Sequence, residues 1–296
     1  KIFTRPFPTG KFSTVCDISK RPEALAEGAK VLRQALESRL GRITLGEVYA
    51  ARNIALAIPA IEMGQHRAWV FKTPHLKDTT NHRDDHYTLV DVCLATTAAP
   101  VYRSMAAVDH PDNDAGGYNV FVDGGLWANN PVLVGLIDAL DMTEPGQEIH
   151  IFSLGTCPLP AGERIDKSAV HRGLMEWKFG GDAASLAIDA QQFAFDHMAK
   201  KLARHVDRHC TVIRFPSEKV PAAINPYLGL DDTRDKAIQA LIDQARTDAN
   251  MANSKCAYAD TDSEAALICA LFESMPERTD PSNKTNSAAG DWSAVV

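Results

Sequence analysis

The sequence predicts an α/β protein whose sheet is covered on both faces. Short, almost continuous apolar runs alternate along the chain with longer segments whose apolar residues recur at helical spacing. The short runs are apolar throughout rather than alternating apolar and polar, which is the pattern of strands buried on both sides. The size agrees: 296 residues, 45% apolar and 23% charged, are enough to bury a sizeable core without disulfides or metals.

The elements follow in order. In the segment 22–40, PEALAEGAKVLRQALESRL, Leu25, Ala29, Leu32, Leu36 and Leu40 share one helical face, and Pro22 fits the first turn. NIALAIPAIEM (53–63) and HRAWVFKTP (66–74) flank Gly64-Gln65 and predict a hairpin. HLKDTTNHRDDHY (75–87) is polar and aperiodic, so it predicts a loop. YTLVDVCLATTAAP (87–100) predicts a short helix ended near Pro100. YNVFVD, GGLWANN and PVLVGLIDAL (118–140) predict strand, loop and helix, and EIHIFSLGT (148–156) another strand. Segments 168–181 and 182–206 predict helix, CTVIRFP (210–216) a strand, and 232–252 and 262–274 late helices. No internal repeat is present. The last residues, 276–296, are rich in Pro, Ser, Asn and Asp and predict a disordered tail.

Composition narrows the function classes. A net charge of -7, from 31 basic and 38 acidic residues, argues against a nucleic acid polymer as the main partner. No apolar run approaches the roughly 20 residues that span a bilayer, and no signal peptide is visible at the start. The six cysteines, Cys16, Cys93, Cys157, Cys210, Cys256 and Cys269, are scattered without a CxxC pair, as free thiols in a reducing cytoplasm would be. The chain begins with Lys1, and 2–9 read as the middle of a longer segment, so an N-terminally incomplete sequence is expected.

The chemistry concentrates in FVDGGLWANNPV (121–132). Asp123 sits where a buried strand ends, at the rim of an α/β sheet where active sites gather. Gly124 and Gly125 allow backbone conformations closed to other residues, leave space beside the carboxylate, and offer amides to one of its oxygens. An aspartate so placed can serve as a general base once burial raises its pKa from about 4 towards neutrality. A plain Asp-Gly-Gly turn needs no following Asn129-Asn130-Pro131, where side-chain amides can bind loop backbone and Pro131 can start a helix.

FVDGGLWANNPV closely resembles the aspartate motif of patatin-like phospholipases. FKTP (71–74), ATTAAPVYR (95–103) and FSLGT (152–156) resemble further stretches of that family, in the same order, and a looser likeness runs to about residue 275. The resemblance implies a three-layer α/β/α sandwich with a mostly parallel central sheet, and a phospholipase domain over 1–275. It implies lipid acyl hydrolysis by a Ser-Asp dyad without metal or cofactor. Asp123 would take the proton of a serine in a G-x-S-x-G elbow, and a glycine-rich loop would supply the oxyanion hole. Gly124 and Gly125 would shape the base's loop, with Asn129, Asn130 and Pro131 bracing it. The substrate would be a glycerophospholipid or related ester, met at a membrane surface from the cytoplasm.

The chain departs from the family in one respect. It contains no G-x-S-x-G: Ser13, Ser104, Ser153, Ser168 and Ser185 all lack the flanking glycines of an elbow. No glycine-rich oxyanion loop is present either. The nucleophile, the oxyanion hole and the strands that carry them are therefore expected outside this chain, and the fragment alone is expected to be inactive. A non-catalytic relative, using the fold for binding or scaffolding, is the alternative. The segment 171–202 is also similar to the helices of patatin-like effectors in bacterial anti-phage signalling, phospholipases switched on by cyclic nucleotides. That likeness implies a cyclic-nucleotide activator whose pocket the sequence does not locate.

Three clusters compete as metal sites. His82, Asp84, Asp85 and His86 fall in a polar loop read as flexible and solvated, and His110, Asp112 and Asp114 in a similar one. His205 and His209 lie four apart beside Cys210, but Lys200, Lys201 and Arg204 make that face basic.

Overall fold

The computed structural model describes residues 11–77, 82–109, 117–156, 165–173, 175–177, 180–215, 220–229, 232–260 and 263–274. The expected tail and the cluster of His110, Asp112 and Asp114 lie outside them. The chain forms two compact units, Lys1–Ser153 with Ala161–Val212, and Leu154–Pro160 with Ile213–Val296.

The first unit is built on a four-stranded sheet. Its strands are β1 (Ala57–Glu62), β2 (Arg67–Lys72), β3 (Ala106–Asp109) and β4 (Tyr118–Asp123), in the order β2-β1-β4-β3. The expected hairpin of β1 and β2 is present, with Ala57 opposite Lys72 and Glu62 opposite Arg67. Glu62 holds its turn: the buried carboxylate accepts from the Gly64 amide at 2.7 Å and the Gln65 amide at 2.8 Å. Each described pairing in this sheet is antiparallel, so the mostly parallel central sheet expected from the sequence is not seen among these four strands. Short connections such as the β1–β2 turn permit antiparallel neighbours, whereas parallel ones need a long crossover. Such a crossover occurs once among the described residues. Strand β5 (Ile149–Leu154) leads through a long helix to β6 (Cys210–Phe215), and the two strands pair. The Ile149 amide donates to His209 and the Gly155 amide to Phe215, so both strands run the same way.

Phe71 and Phe121 are fully buried at the heart of the sheet, 4.9 Å apart between ring centroids. Tyr87 meets Phe71 edge-on at 5.3 Å and Trp69 meets Phe121 at 5.7 Å, an arrangement favoured by ring quadrupoles. Helix α1 (Lys11–Leu40) begins earlier than its apolar spacing suggested and carries Pro22 in its interior, where one backbone hydrogen bond is forfeited. It packs against α3 (Leu89–Thr96). Between them along the chain comes α2 (Leu45–Arg52), which apolar spacing did not reveal. Thr44 and Glu47 form a reciprocal capping box at its start, a signature present in the sequence.

The polar stretch 82–87 is a turn, as its composition predicts, but it is not solvated throughout: His82 and Arg83 are exposed, whereas Asp84 and Tyr87 are buried. Asp84 is 2% exposed. It accepts from the Lys72 backbone amide at 2.9 Å and from Arg83 at 2.8 and 2.6 Å. Arg83 also donates to the Val70 carbonyl and lies 4.1 Å over the Trp69 ring. The amides of Leu45 and Gly46 donate to the carbonyls of Tyr87 and Asp85, tying α2 to the same stretch. Of the proposed cluster, His82 pairs with Asp85 at 2.7 Å, while Asp84 faces β2 and serves the fold.

Helix α4 (Gly125–Ala128) is a single turn, and α5 (Val132–Met142) follows it. Helix α6 (Gly181–His205) packs on both. Val132 and Leu136 of α5, Ala199 and Ala203 of α6 and Val212 of β6 form a second buried cluster. The expected helix over 168–181 is largely unfulfilled: the described residues there include one 3-10 turn, Lys167–Ala169. The second unit holds a 3-10 turn, Ala222–Tyr227, packed on α7 (Asp235–Ala257), which also contacts α8 (Glu264–Ser274). None of the helices among the described residues is long and apolar enough to cross a membrane.

Removal of the Asp84 carboxylate strands the Lys72 amide and the paired Arg83. Asp84→Ala is expected to destabilise the intact protein by about 3 kcal/mol in urea unfolding. Asp141→Ala, at an exposed position of α5, is expected to stay within about 0.5 kcal/mol.

Candidate active site

Asp123 ends β4, and the way the ladder stops there positions it. The last pair between β1 and β4 is Ala60 opposite Asp123. The next would join Pro59 to Gly124, and proline has no N–H to give. The chain therefore leaves the sheet immediately after the aspartate. A Cβ at Gly124 would lie 2.1 Å from the Pro59 carbonyl oxygen, so only glycine fits. The expectation that this pair of glycines supplies unusual backbone angles needs correcting. Gly124 has φ -67° and ψ -22°, and neither glycine has positive φ, so the requirement at Gly124 is space. A Cβ at Gly125 would meet Asp123 Oδ1 at 2.8 Å and Asn129 Oδ1 at 3.0 Å.

The Gly125 amide donates to Asp123 Oδ1 at 2.6 Å. Among the described residues Oδ2 accepts no hydrogen bond. The Asp123 amide donates to the Ala98 carbonyl at 3.1 Å, so the small-residue segment just after α3 fixes the backbone of the aspartate. Thr96 Oγ1 donates to the Pro59 carbonyl at 2.7 Å, and Trp127 Nε1 to Ala60 at 2.8 Å. Together these bonds clamp the turn between β1 and α3. Burial pushes the Asp123 carboxyl above the ordinary carboxylate range, opposed by the Gly125 amide and then by the charge of Arg103. Arg103 is itself lowered by burial, with Asp123 pulling it back up.

The two asparagines divide. Asn130 is buried; its Oδ1 accepts from the Val132 amide at 3.3 Å and its Nδ2 donates to the Gln192 carbonyl at 3.4 Å. Asn130 thus joins the start of α5 to α6. Asn129 is exposed and engages α6 through its backbone amide, which donates to Gln191 Oε1 at 3.2 Å. Pro131 sits at the N-cap of α5.

Sequence reasoning missed a buried polar network beneath α5. Asp138, 5% exposed, receives Lys72 Nζ at 2.6 Å and lies 3.2 Å from His75 Nε2. His75 Nδ1 is 2.9 Å from Thr73 Oγ1, which accepts from the Leu56 amide at 2.8 Å. The FKTP stretch thereby hooks α5 onto the end of β2. An aspartate inside the apolar run VLVGLIDAL was the available signal. Arg103 was missed as well: it was read only as part of a helix end. His205 and His209 end elsewhere, with His205 closing α6 and His209 paired to Glu148 at 3.3 Å.

A half-buried carboxylate with raised proton affinity, one oxygen held by an amide and the other without a bond among the described residues, is suited to general-base catalysis. No protein-family model matches the chain. Individual relatives do. A cGAMP-activated phospholipase of Pseudomonas aeruginosa is 34% identical over 172 residues, covering 57% of this chain and 46% of the relative. A cGAMP-activated phospholipase of Escherichia coli is 28% identical over 235 residues, 74% of this chain and 61% of the relative. Patatin-like protein 2 of Arabidopsis thaliana is 27% identical over 206 residues, 64% of this chain and 48% of the relative. The chain thus spans about half the length of the curated relatives it matches. The resemblance read from the sequence is a relationship to patatin-like phospholipases, the cGAMP-activated bacterial group included.

Two outcomes follow from the geometry. Gly124→Ala is expected to destabilise the intact protein by more than about 3 kcal/mol, because its Cβ meets backbone. Gly125→Ala meets only side-chain ends and is expected to be milder in the same thermal melts. The second outcome concerns pH. With its folded pKa raised, Asp123 loses its proton in the unfolded chain first, near pH 4. Stability therefore falls as pH rises from about 4 through the folded value. Asp123→Asn is expected to melt at or above the native temperature at pH 7, and to lose any advantage below about pH 4.

Proposed function

We propose that Asp123 is the base of a Ser-Asp dyad in a lipid acyl hydrolase of phospholipase A type, with glycerophospholipid esters as substrate. The observation that carries this reading is the carboxylate itself: Oδ1 is held by the Gly125 amide, Oδ2 has no bond among the described residues, and burial raises its proton affinity. The relatives support it through the chemistry in their names. In this reading residues 1–275 are the larger part of a patatin-type domain of three-layer α/β/α design. The serine elbow and the oxyanion loop lie outside the 296 residues, which contain no G-x-S-x-G.

The reaction runs in two halves. The serine hydroxyl attacks the ester carbonyl while its proton passes to Asp123 Oδ2. Collapse of the tetrahedral intermediate expels the lysolipid alcohol, which takes that proton. Water then attacks the acyl-enzyme, with Asp123 again as base, and releases the fatty acid and the serine. A base with raised proton affinity is the better acceptor in both halves, provided it is ionised at working pH. The Gly125 amide and Arg103 favour that ionised form. The dyad calls for no metal or cofactor. The enzyme would act on the membrane surface from the cytoplasm, and a cyclic dinucleotide would switch it on to degrade membrane lipid as an anti-phage response.

In the intact protein, Asp123→Asn is expected to lower kcat on phospholipid vesicles by about a thousandfold or more, with KM little changed. Near-normal turnover in that variant would refute the assignment. Residues 1–296 alone are expected to release no fatty acid. Equal hydrolysis by the intact protein with and without a cyclic dinucleotide would sink the proposed switch.

A further inference from the structure

We propose that the groove between α1 and β3 binds the two phosphodiesters of a cyclic dinucleotide, using Lys30, Arg33, Arg42 and Arg103. The ligand class rests on the function proposed above; the site rests on the structure. Two adjoining cavities, of about 510 and 270 Å³, share Arg33 and Ala107 and form one groove. Their combined size lies in the range of small-molecule sites, roughly 300–1,000 Å³.

Charge is the second ground. The chain as a whole carries a net charge of -7, yet this groove is lined by four of its cations and two carboxylates, Asp91 and Asp109. Asp91 is already engaged: it receives Arg33 at 2.9 Å and Thr88 Oγ1 at 2.6 Å. Lys30 and Arg42 are exposed and have no carboxylate partner among the described residues. The surplus of two positive charges equals the charge of a cyclic dinucleotide, and cationic forks of this kind suit phosphate oxygens.

Position separates the groove from a substrate site. It follows the edge strand β3 from Ala106, opposite Phe121, to Asp109, opposite Tyr118. The larger cavity includes Asp109 and so lies towards the end of β4 remote from Asp123. The smaller cavity contains Arg103, which also acts electrostatically on Asp123.

The test is calorimetric titration of the intact protein with 3′,3′-cyclic GMP-AMP, paired with fatty-acid release from phosphatidylglycerol vesicles. Lys30→Gln and Arg42→Gln are each expected to weaken binding about tenfold. The activation midpoint should shift by the same factor, and the rate at saturating ligand should stay unchanged. Arg42→Glu, at the same exposed position, is expected to weaken binding further while leaving the melting temperature near native. Native affinity in all three variants would overturn the proposal. So would unchanged dinucleotide affinity with a raised KM for vesicles, which would make the groove a lipid head-group site. Weakened dinucleotide binding in a protein that hydrolyses no phospholipid would leave the groove standing and remove the enzymatic reading instead.

Discussion

The approach of Gly124 to the Pro59 carbonyl is the constraint on which the candidate site depends. A proline ends the β1–β4 ladder, and a glycine lets the departing chain press against the same carbonyl that Thr96 bonds. The aspartate one residue earlier is still in register with Ala60, so its backbone is as firmly placed as a strand residue. Its side chain already stands beyond the sheet. A catalytic group gains from that position, because a rigid backbone limits the geometries its carboxylate can sample.

Support for this turn comes from three directions. The segment just after α3 fixes the Asp123 amide through Ala98, β1 receives the Trp127 indole, and α6 engages Asn129 and Asn130. A fourth anchor is indirect. Lys72, Thr73, His75 and Asp138 tie α5 to the end of β2, so the helix that follows the site cannot tilt without breaking buried polar contacts. Buried ion pairs are poor sources of net stability but good determinants of a single arrangement, since a shifted helix would leave the Asp138 charge uncompensated.

Much of this was legible in the sequence, and the failures have physical causes. The hairpin was visible because apolar runs flanked a glycine turn, and Asp123 drew attention because Asn129, Asn130 and Pro131 follow its two glycines, which is more than a plain turn needs. Strand direction was not visible, since a strand buried on both faces looks alike in parallel and antiparallel neighbours. Helix α2 escaped because its apolar face is weak, although its capping box was present. The stretch 82–87 misled most. Polarity suggested water, but the Asp84 carboxylate is buried and is satisfied by the Lys72 amide and by Arg83, which reaches it from the surface. Composition cannot distinguish a polar residue that faces solvent from one that replaces solvent. The role of Gly124 was also mistaken, because steric room for a neighbouring carbonyl and freedom of φ leave the same residue in the sequence.

The Glu62-capped turn has a bearing on the order in which the molecule assembles. Glu62 and Arg67 face each other across a turn of a few residues, so the hairpin closes a very short loop and can form early. Ala60 and Asp123 are paired across more than sixty residues of chain, and that closure carries a larger entropy penalty. The hairpin is thus a template that waits for β4. In the reverse direction, an opening that released β4 would dismantle the aspartate's setting while the hairpin stayed folded. The candidate base therefore sits at a seam of long sequence separation, where its geometry reports whether the whole sheet has come together.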